Sequence, residues 1–228
     1  MTLSRSDLEQ GRMRELYAAA ADPGHALDEE ALAASLTATL RAKPKGAGWW
    51  VFAYGSLLWN PIFPVVEQCV ATIHGWHRRF CLKSLAARGT REQPGLVLGL
   101  KPGGACRGVA LRLPAPLALD ELKLLWRREM VVGSYKPVWV RANAGERTIT
   151  ALAFTVKRDH PQYAHLTLAQ EARVIATACG AFGSSCDYLM HTRNALAGHG
   201  IVDRYLETVA GVVARSAGSG AGGGASEG

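Results

Sequence analysis

A short unbroken apolar run, Trp49-Trp50-Val51-Phe52-Ala53, ends abruptly at Tyr54-Gly55-Ser56-Leu57. Five apolar residues in a row are too few for a helix of ordinary length and lack the alternation of a half-solvated strand, so they read as a buried strand. The six residues before it, Lys43-Pro44-Lys45-Gly46-Ala47-Gly48, have the composition of a linker, so the folded domain is expected to begin at residue 49.

Further strands follow. From Val66 to Leu82 β-branched and aromatic residues dominate, with a break at Gly75 that predicts a bend or bulge. Leu96–Leu100 and Ala105–Leu113 flank Lys101-Pro102-Gly103-Gly104, which predicts a hairpin. Tyr135–Arg141 and Arg147–Lys157 predict a second strand pair around Asn143-Ala144-Gly145. Between the two pairs, Leu122, Leu125, Trp126 and Met130 recur at the spacing of one helical face, giving a helix over Leu117–Val131. The last third is helical: Thr167 and Gln170 form a capping box for Leu168–Cys179, Ser184 or Ser185 starts a helix to Ala197, and a last helix covers Val202–Arg215. Strand pairs, one enclosed helix and a helical third imply an α+β fold with antiparallel or mixed strands, not alternating βαβ units.

At 228 residues the chain suits one full core with tails. Residues 1–48 are expected to form an N-terminal helical extension and linker, with helices over Asp7–Ala21 and Asp28–Arg41 separated by Asp22-Pro23-Gly24, packed or flexing outside the core. Residues 49–215 form the main domain. Ser216–Gly228, almost wholly glycine, serine and alanine, reads as a disordered tail.

Composition narrows the function classes. No run of 18 or more apolar residues and no apolar signal core at the N-terminus point to an unexported chain with no membrane partner. Five scattered cysteines without a C-x-x-C pair fit a reducing cytoplasm. The histidines show no ligand spacing, so no metal and no cofactor are expected. The net charge of +7 fits a small anionic substrate or a solvated basic surface as well as it fits nucleic acid, and the basic residues form no stripe interleaved with aromatics, so no nucleic acid is expected.

Glu129 is the most informative residue, because it stands three after Trp126, four after Leu125 and seven after Leu122, on the apolar face of its helix. Burial would raise its pKa toward the range of a general acid–base catalyst; pairing with Arg127, Arg128 or Arg79 would lower it and make it structural. Tyr54-Gly55-Ser56-Leu57 leaves the buried strand at its end, where backbone amides can cradle an anion or form an ordinary turn. Ser56 as a nucleophile lacks the G-x-S-x-G elbow. His74 and His77 are either bases or structural; Gly89–Gly95 either rims a site or merely connects; Trp76, Trp139 and Tyr163 either line a pocket or pack in the core.

Taken in order, V-F-A-Y-G-S-L-L-W-N-P (Val51–Pro61), G-W-H-R-R-F-C-L (Gly75–Leu82), G-T-R-E-Q-P-G-L (Gly89–Leu96), R-G-V-A-L-R-L (Arg107–Leu113), L-W-R-R-E-M-V-V-G-S-Y (Leu125–Tyr135) and D-Y-L (Asp187–Leu189) resemble the ChaC-type, glutathione-specific γ-glutamylcyclotransferases. The resemblance runs from Trp50 to about Arg215, with Ala53 standing where the family usually has glycine. It implies a small mixed β-barrel flanked by helices and cleavage of glutathione, the small-molecule substrate, to 5-oxoproline and cysteinylglycine. It places the catalytic role on Glu129 and substrate binding on Val51, Phe52, Ala53, Tyr54, Gly55, Ser56 and Leu57, with Tyr135 and Tyr163 as further pocket residues. Which of Arg78, Arg79, Arg88, Arg91 or Arg128 meets substrate carboxylates stays open, as do other γ-glutamyl amines as substrates and a non-enzymatic regulatory or binding module.

Overall fold

The computed structural model describes residues 3–20 and 26–219. Its centre is a closed five-stranded barrel: β1 (Trp50–Ala53), β2 (Glu67–Ser84), β3 (Gly95–Arg112), β4 (Tyr135–Ala144) and β5 (Arg147–Val156), in the order β1-β3-β2-β4-β5. β2 and β3 are 18 residues each and pair antiparallel from Glu67↔Arg112 to Ser84↔Gly95. Strands this long must coil to close a barrel, and the register slips where one residue of β2, Gly75, faces Gly103 and Gly104 of β3. All three glycines have positive φ, +82°, +98° and +70°, which a side chain would oppose.

This corrects the expected hairpin at Lys101–Gly104. Trp76 pairs with Pro102 and His77 with Lys101, so the Pro-Gly-Gly stretch is a bulge inside one strand. The hairpin is β2–β3 itself, closed by the loop over residues 85–94. Left-handed glycines serve turns and bulges alike, and only the partner strand tells them apart.

β1 pairs antiparallel with β3 and parallel with β5 at Val51↔Leu152, which seals the barrel and makes its sheet mixed. All four of its residues are buried, which is why its sequence is continuously apolar. β4 and β5 form the expected second hairpin, turning through Gly145 at φ +64°. Inside, Phe52, Phe80, Phe154, Leu98 and Leu100 are fully buried, and helix α4 (Ala118–Glu129) caps them, with Trp126 edge-on to Phe154 at 5.4 Å.

The N-terminal segment departs from expectation in two ways. The predicted first helix is two, α1 (Arg5–Glu9) and α2 (Arg12–Ala20), broken at Gly11 with φ +75°. Helix α3 (Glu29–Arg41) does not stay outside the core: Leu32 and Leu36, an i, i+4 pair, join the main cluster, and Trp126 Nε1 donates to Ser35 Oγ at 3.3 Å. The Asp22-Pro23-Gly24 break lies outside the described residues. At the other end, α5 (Leu168–Thr177) carries the expected Thr167–Gln170 capping box, and α6 (Ser185–Gly198) follows a two-residue strand pair, β6 (Cys179–Gly180) and β7 (Gly183–Ser184). Helix α7 (Arg204–Ser219) continues past its expected end at Arg215, and the tail beyond it lies outside the described residues. Among the described residues no helix is long and apolar enough to cross a membrane.

Candidate active site

The end of β1 is fixed before any pocket residue is placed. Tyr54 donates its hydroxyl to Phe154 O at 2.7 Å, and its own carbonyl accepts Arg78 Nε at 2.6 Å. Arg78 is buried, donates also to Arg107 O at 2.8 Å, and pairs with Asp203 ahead of α7. After Tyr54 the chain turns at Gly55 into a single 3₁₀ turn over Ser56–Leu58. A Cβ on Gly55 would stand 2.7 Å from the Tyr188 hydroxyl, so a hydrogen at this position lets α6 press directly on the loop.

Glu129 arrives at the end of α4, its side chain only 14% exposed. Burial pushes its pKa up; Arg128, whose Nε lies 3.1 Å from Glu129 Oε1, pulls it back without cancelling the rise. Arg127 points elsewhere and pairs with Glu29 at 3.1 Å, while Arg79 lies over the Tyr205 ring at 4.1 Å. Of the three arginines that could have partnered Glu129, Arg128 does so. Its remaining donors reach Ser56 Oγ at 2.8 Å and Asn60 O at 2.5 Å, so one guanidinium ties the carboxylate to both ends of the loop.

Two connected spaces meet at Glu129. The inner one is walled by Tyr54–Leu57, Leu98 and Phe154; the outer one opens toward Trp59, Arg88 and Phe182; Ser56, Glu129, Tyr135 and Tyr188 belong to both. Tyr135 donates to Leu98 O at 2.7 Å. Burial raises the hydroxyl pKa of Tyr54 and Tyr135 well above the usual value and that of Tyr188 to about 12, and the nearby Glu129 charge adds to each, so all three are neutral donors near neutral pH. The arrangement is a narrow, desolvated chamber with one ionisable carboxylate at its neck.

A family model described as ChaC-like protein matches residues 49–216, which contain every element of the barrel and Glu129 itself. The chain belongs to the ChaC-like family. A relative from Escherichia coli K12, a glutathione-specific gamma-glutamylcyclotransferase, is 45% identical over 176 residues, covering 76% of each chain. One from Schizosaccharomyces pombe, also a glutathione-specific gamma-glutamylcyclotransferase, is 31% identical over 172 residues, 67% of this chain and 84% of that one. A crystal structure of a gamma-glutamyl cyclotransferase specific to glutathione from yeast superposes with a TM-score of 0.69 at 24% identity, over 75% of this chain and 97% of that one. The fold is therefore a γ-glutamylcyclotransferase fold.

Of the residues singled out in the sequence, Glu129, Tyr54, Gly55, Ser56, Leu57 and Tyr135 line the inner space together. Val51, Phe52 and Ala53 do not reach the chamber: they lie in β1, at most 1% exposed, and support the loop from behind. Nor does Tyr163, which bridges to Leu82 and packs with Cys81 and Val156 on another face of the barrel. Of the five candidate arginines, Arg88 and Arg128 line the outer space, whereas Arg78 and Arg79 are engaged with Asp203 and Tyr205. His77 bonds Gly103 O at the bulge, and Trp139 donates to Thr39 O on α3. Sequence reasoning missed Tyr188, Trp59, Asn60, Leu3, Met13, Tyr17 and Phe182. Tyr188, Trp59 and Asn60 carried a signal, standing inside the Asp187–Leu189 and Val51–Pro61 matches, whereas Leu3, Met13, Tyr17 and Phe182 carried none.

Ser56 is unsuited to be a nucleophile. Its Oγ accepts from Arg128, a guanidinium that stays protonated and cannot remove the hydroxyl proton.

Proposed function

We propose that this chain is a glutathione-specific γ-glutamylcyclotransferase that converts glutathione to 5-oxoproline and cysteinylglycine, with Glu129 as its general acid and base. The observation that carries the mechanism is a buried carboxylate with a raised pKa shared by two adjoining spaces, the inner one walled by the Tyr54–Leu57 loop. The γ-glutamyl group occupies the inner chamber, and the scissile amide lies at the neck.

Glu129 takes a proton from the α-ammonium group, and the freed amine attacks the γ-carbonyl carbon. A C–N bond forms, closing the five-membered lactam; the attacking nitrogen gives up its second proton as the ring closes, the amide C–N bond to cysteine breaks, and the two protons, passed in turn through Glu129, leave on the departing nitrogen as the ammonium of cysteinylglycine. Both reacting groups belong to one substrate, so holding it folded does much of the work; effective molarities for such closures reach about 10⁵ M or more. The Ser56 and Leu57 amides lead the 3₁₀ turn, where the turn itself offers no acceptor, and they stabilise the charge developing on the carbonyl oxygen. Arg88, 7% exposed and 5.5–5.6 Å from the Trp59 and Tyr188 rings, meets the glycyl carboxylate in the outer chamber. Residues 49–215 form the catalytic domain, the positive charge serves this anionic substrate and not nucleic acid or a membrane, and the five unpaired cysteines fit the cytoplasm.

The test is incubation of the purified chain with glutathione and identification of products by mass spectrometry. Release of 5-oxoproline with cysteinylglycine, reduced about 10²- to 10⁴-fold in a folded Glu129→Gln variant, supports the reading. Free glutamate would instead indicate hydrolysis, and turnover confined to other γ-glutamyl amines would move the substrate.

A further inference from the structure

The family match begins at residue 49, yet part of the pocket wall comes from before it. Leu3 and, on α2, Met13 and Tyr17 line the outer chamber together with Trp59 and Tyr188. All three are buried, at 9%, 7% and 8% exposure. They belong to a second apolar cluster with Leu8, Ala86, Leu124, Val131, Val132 and Phe182, distinct from the barrel core.

Helices of five and nine residues do not persist by themselves in water, so their contacts hold them. Arg5 Nη1 lies 2.7 Å from Glu121 Oε2 on α4, and Asn60 Nδ2 donates to Leu3 O at 2.8 Å. Tyr17 packs with Ala86 and Ala87, where β2 enters its loop. Asn60 is a joint between this segment and the chemistry, because its carbonyl accepts Arg128, the partner of Glu129, while its side chain holds Leu3.

This wall does not face the inner chamber, whose lining is Tyr54–Leu57, Leu98 and Phe154. It faces the space beyond the neck, where the half of the substrate that departs must lie. A methionine, a tyrosine ring edge, a leucine and Phe182 offer an apolar surface suited to a short thiol-bearing side chain, and Arg88 on the same chamber offers the charge for a carboxylate. We propose that Met13 and Tyr17 are specificity-determining residues of the catalytic pocket, forming the wall that receives the cysteinyl side chain of the departing cysteinylglycine half. The inference rests on the cyclotransferase reading above. It makes the N-terminal helices part of the active site.

The test compares full-length wild type with Met13→Ala, Tyr17→Ala and Tyr17→Phe, using glutathione and S-methylglutathione and reading KM and kcat separately. Removing wall atoms should raise KM for glutathione about tenfold with kcat little changed, and should cut the preference for glutathione over its bulkier S-methyl form by a similar factor. Tyr17→Phe keeps the ring and should stay within about twofold of wild type. Met13→Val, which shortens the side chain while keeping it apolar against Leu124, supplies the same comparison if Met13→Ala does not fold. Active wild type with KM and preference unchanged in the folded Met13 and Tyr17→Ala variants overturns the wall alone. Wild type inactive on glutathione overturns the activity reading and the wall with it.

Discussion

Arg128 and Glu129 are consecutive residues whose side chains meet, Nε to Oε1 at 3.1 Å, both largely withdrawn from water. Neighbours in sequence point about 100° apart on a helix and rarely touch. Here the pair stands at the last turn of α4, where both chains swing into the same pocket. Two opposed effects thus act on one carboxylate: burial favours its neutral form, and the guanidinium favours its charged one. A residue that must take a proton and give it back gains from that balance.

Arg128→Gln removes the opposing charge while leaving the burial. The Glu129 pKa should then rise further, so the acidic limb of the kcat/KM profile moves to higher pH, because the base must be ionised to act. Rates with glutathione from about pH 5 to about pH 9 measure this. A limb that stays in place or moves down would show that Arg128 does not set the charge of Glu129.

Stability should show the same strain. The folded pKa of Glu129 lies above its usual value of 4.5, so below that value the carboxyl is protonated in folded and unfolded chains alike and costs nothing. As pH rises from 4.5 to the raised folded value, the unfolded chain releases its proton first and stability is lost, with the loss complete above the folded value. Glutamine is neutral throughout. Glu129→Gln should therefore melt above wild type near pH 8, with the gap closing as pH falls toward about 4. Thermal unfolding monitored by circular dichroism across that range decides it, and a variant less stable at pH 8 would mean that the Arg128 pairing outweighs burial.

Ser56→Ala separates a loop residue from a nucleophile. The variant loses one acceptor for Arg128 and should slow turnover by less than about tenfold, still yielding 5-oxoproline. Abolished turnover, with glutamate as the wild-type product, would instead place Ser56 in a hydrolase.

What could be read in the sequence was what one segment encodes by itself. The β1 run is apolar throughout because a sealing strand is buried on both sides, and Glu129 stood out because a carboxylate on an apolar helical face is costly without a purpose. The capping box at Thr167 and the helix start at Ser184 or Ser185 are local by construction. Pro102-Gly103-Gly104 misled because a bulge and a turn use the same backbone, and only the passage of Trp76 and His77 alongside distinguishes them. Tyr17, Arg88 and Tyr188 reach the pocket from α2, the β2–β3 loop and α6, and no local periodicity records that they converge.

Gly55→Ala tests that convergence. The added methyl would sit 2.7 Å from the Tyr188 hydroxyl, on a buried ring packed 6.0 Å from Phe80 and 6.1 Å from Trp59. With Tyr188 held on all sides, the loop must give way, and the Ser56 and Leu57 amides move with it. The expected cost is about 1–3 kcal/mol of stability, together with a loss of turnover approaching about 100-fold, since a shift of about 1 Å in a positioning loop has that effect. Adding Tyr188→Phe takes away the clashing oxygen. The double variant should recover most of the lost melting temperature and part of the activity, and if it recovers neither, the loop is not held against α6 at this point.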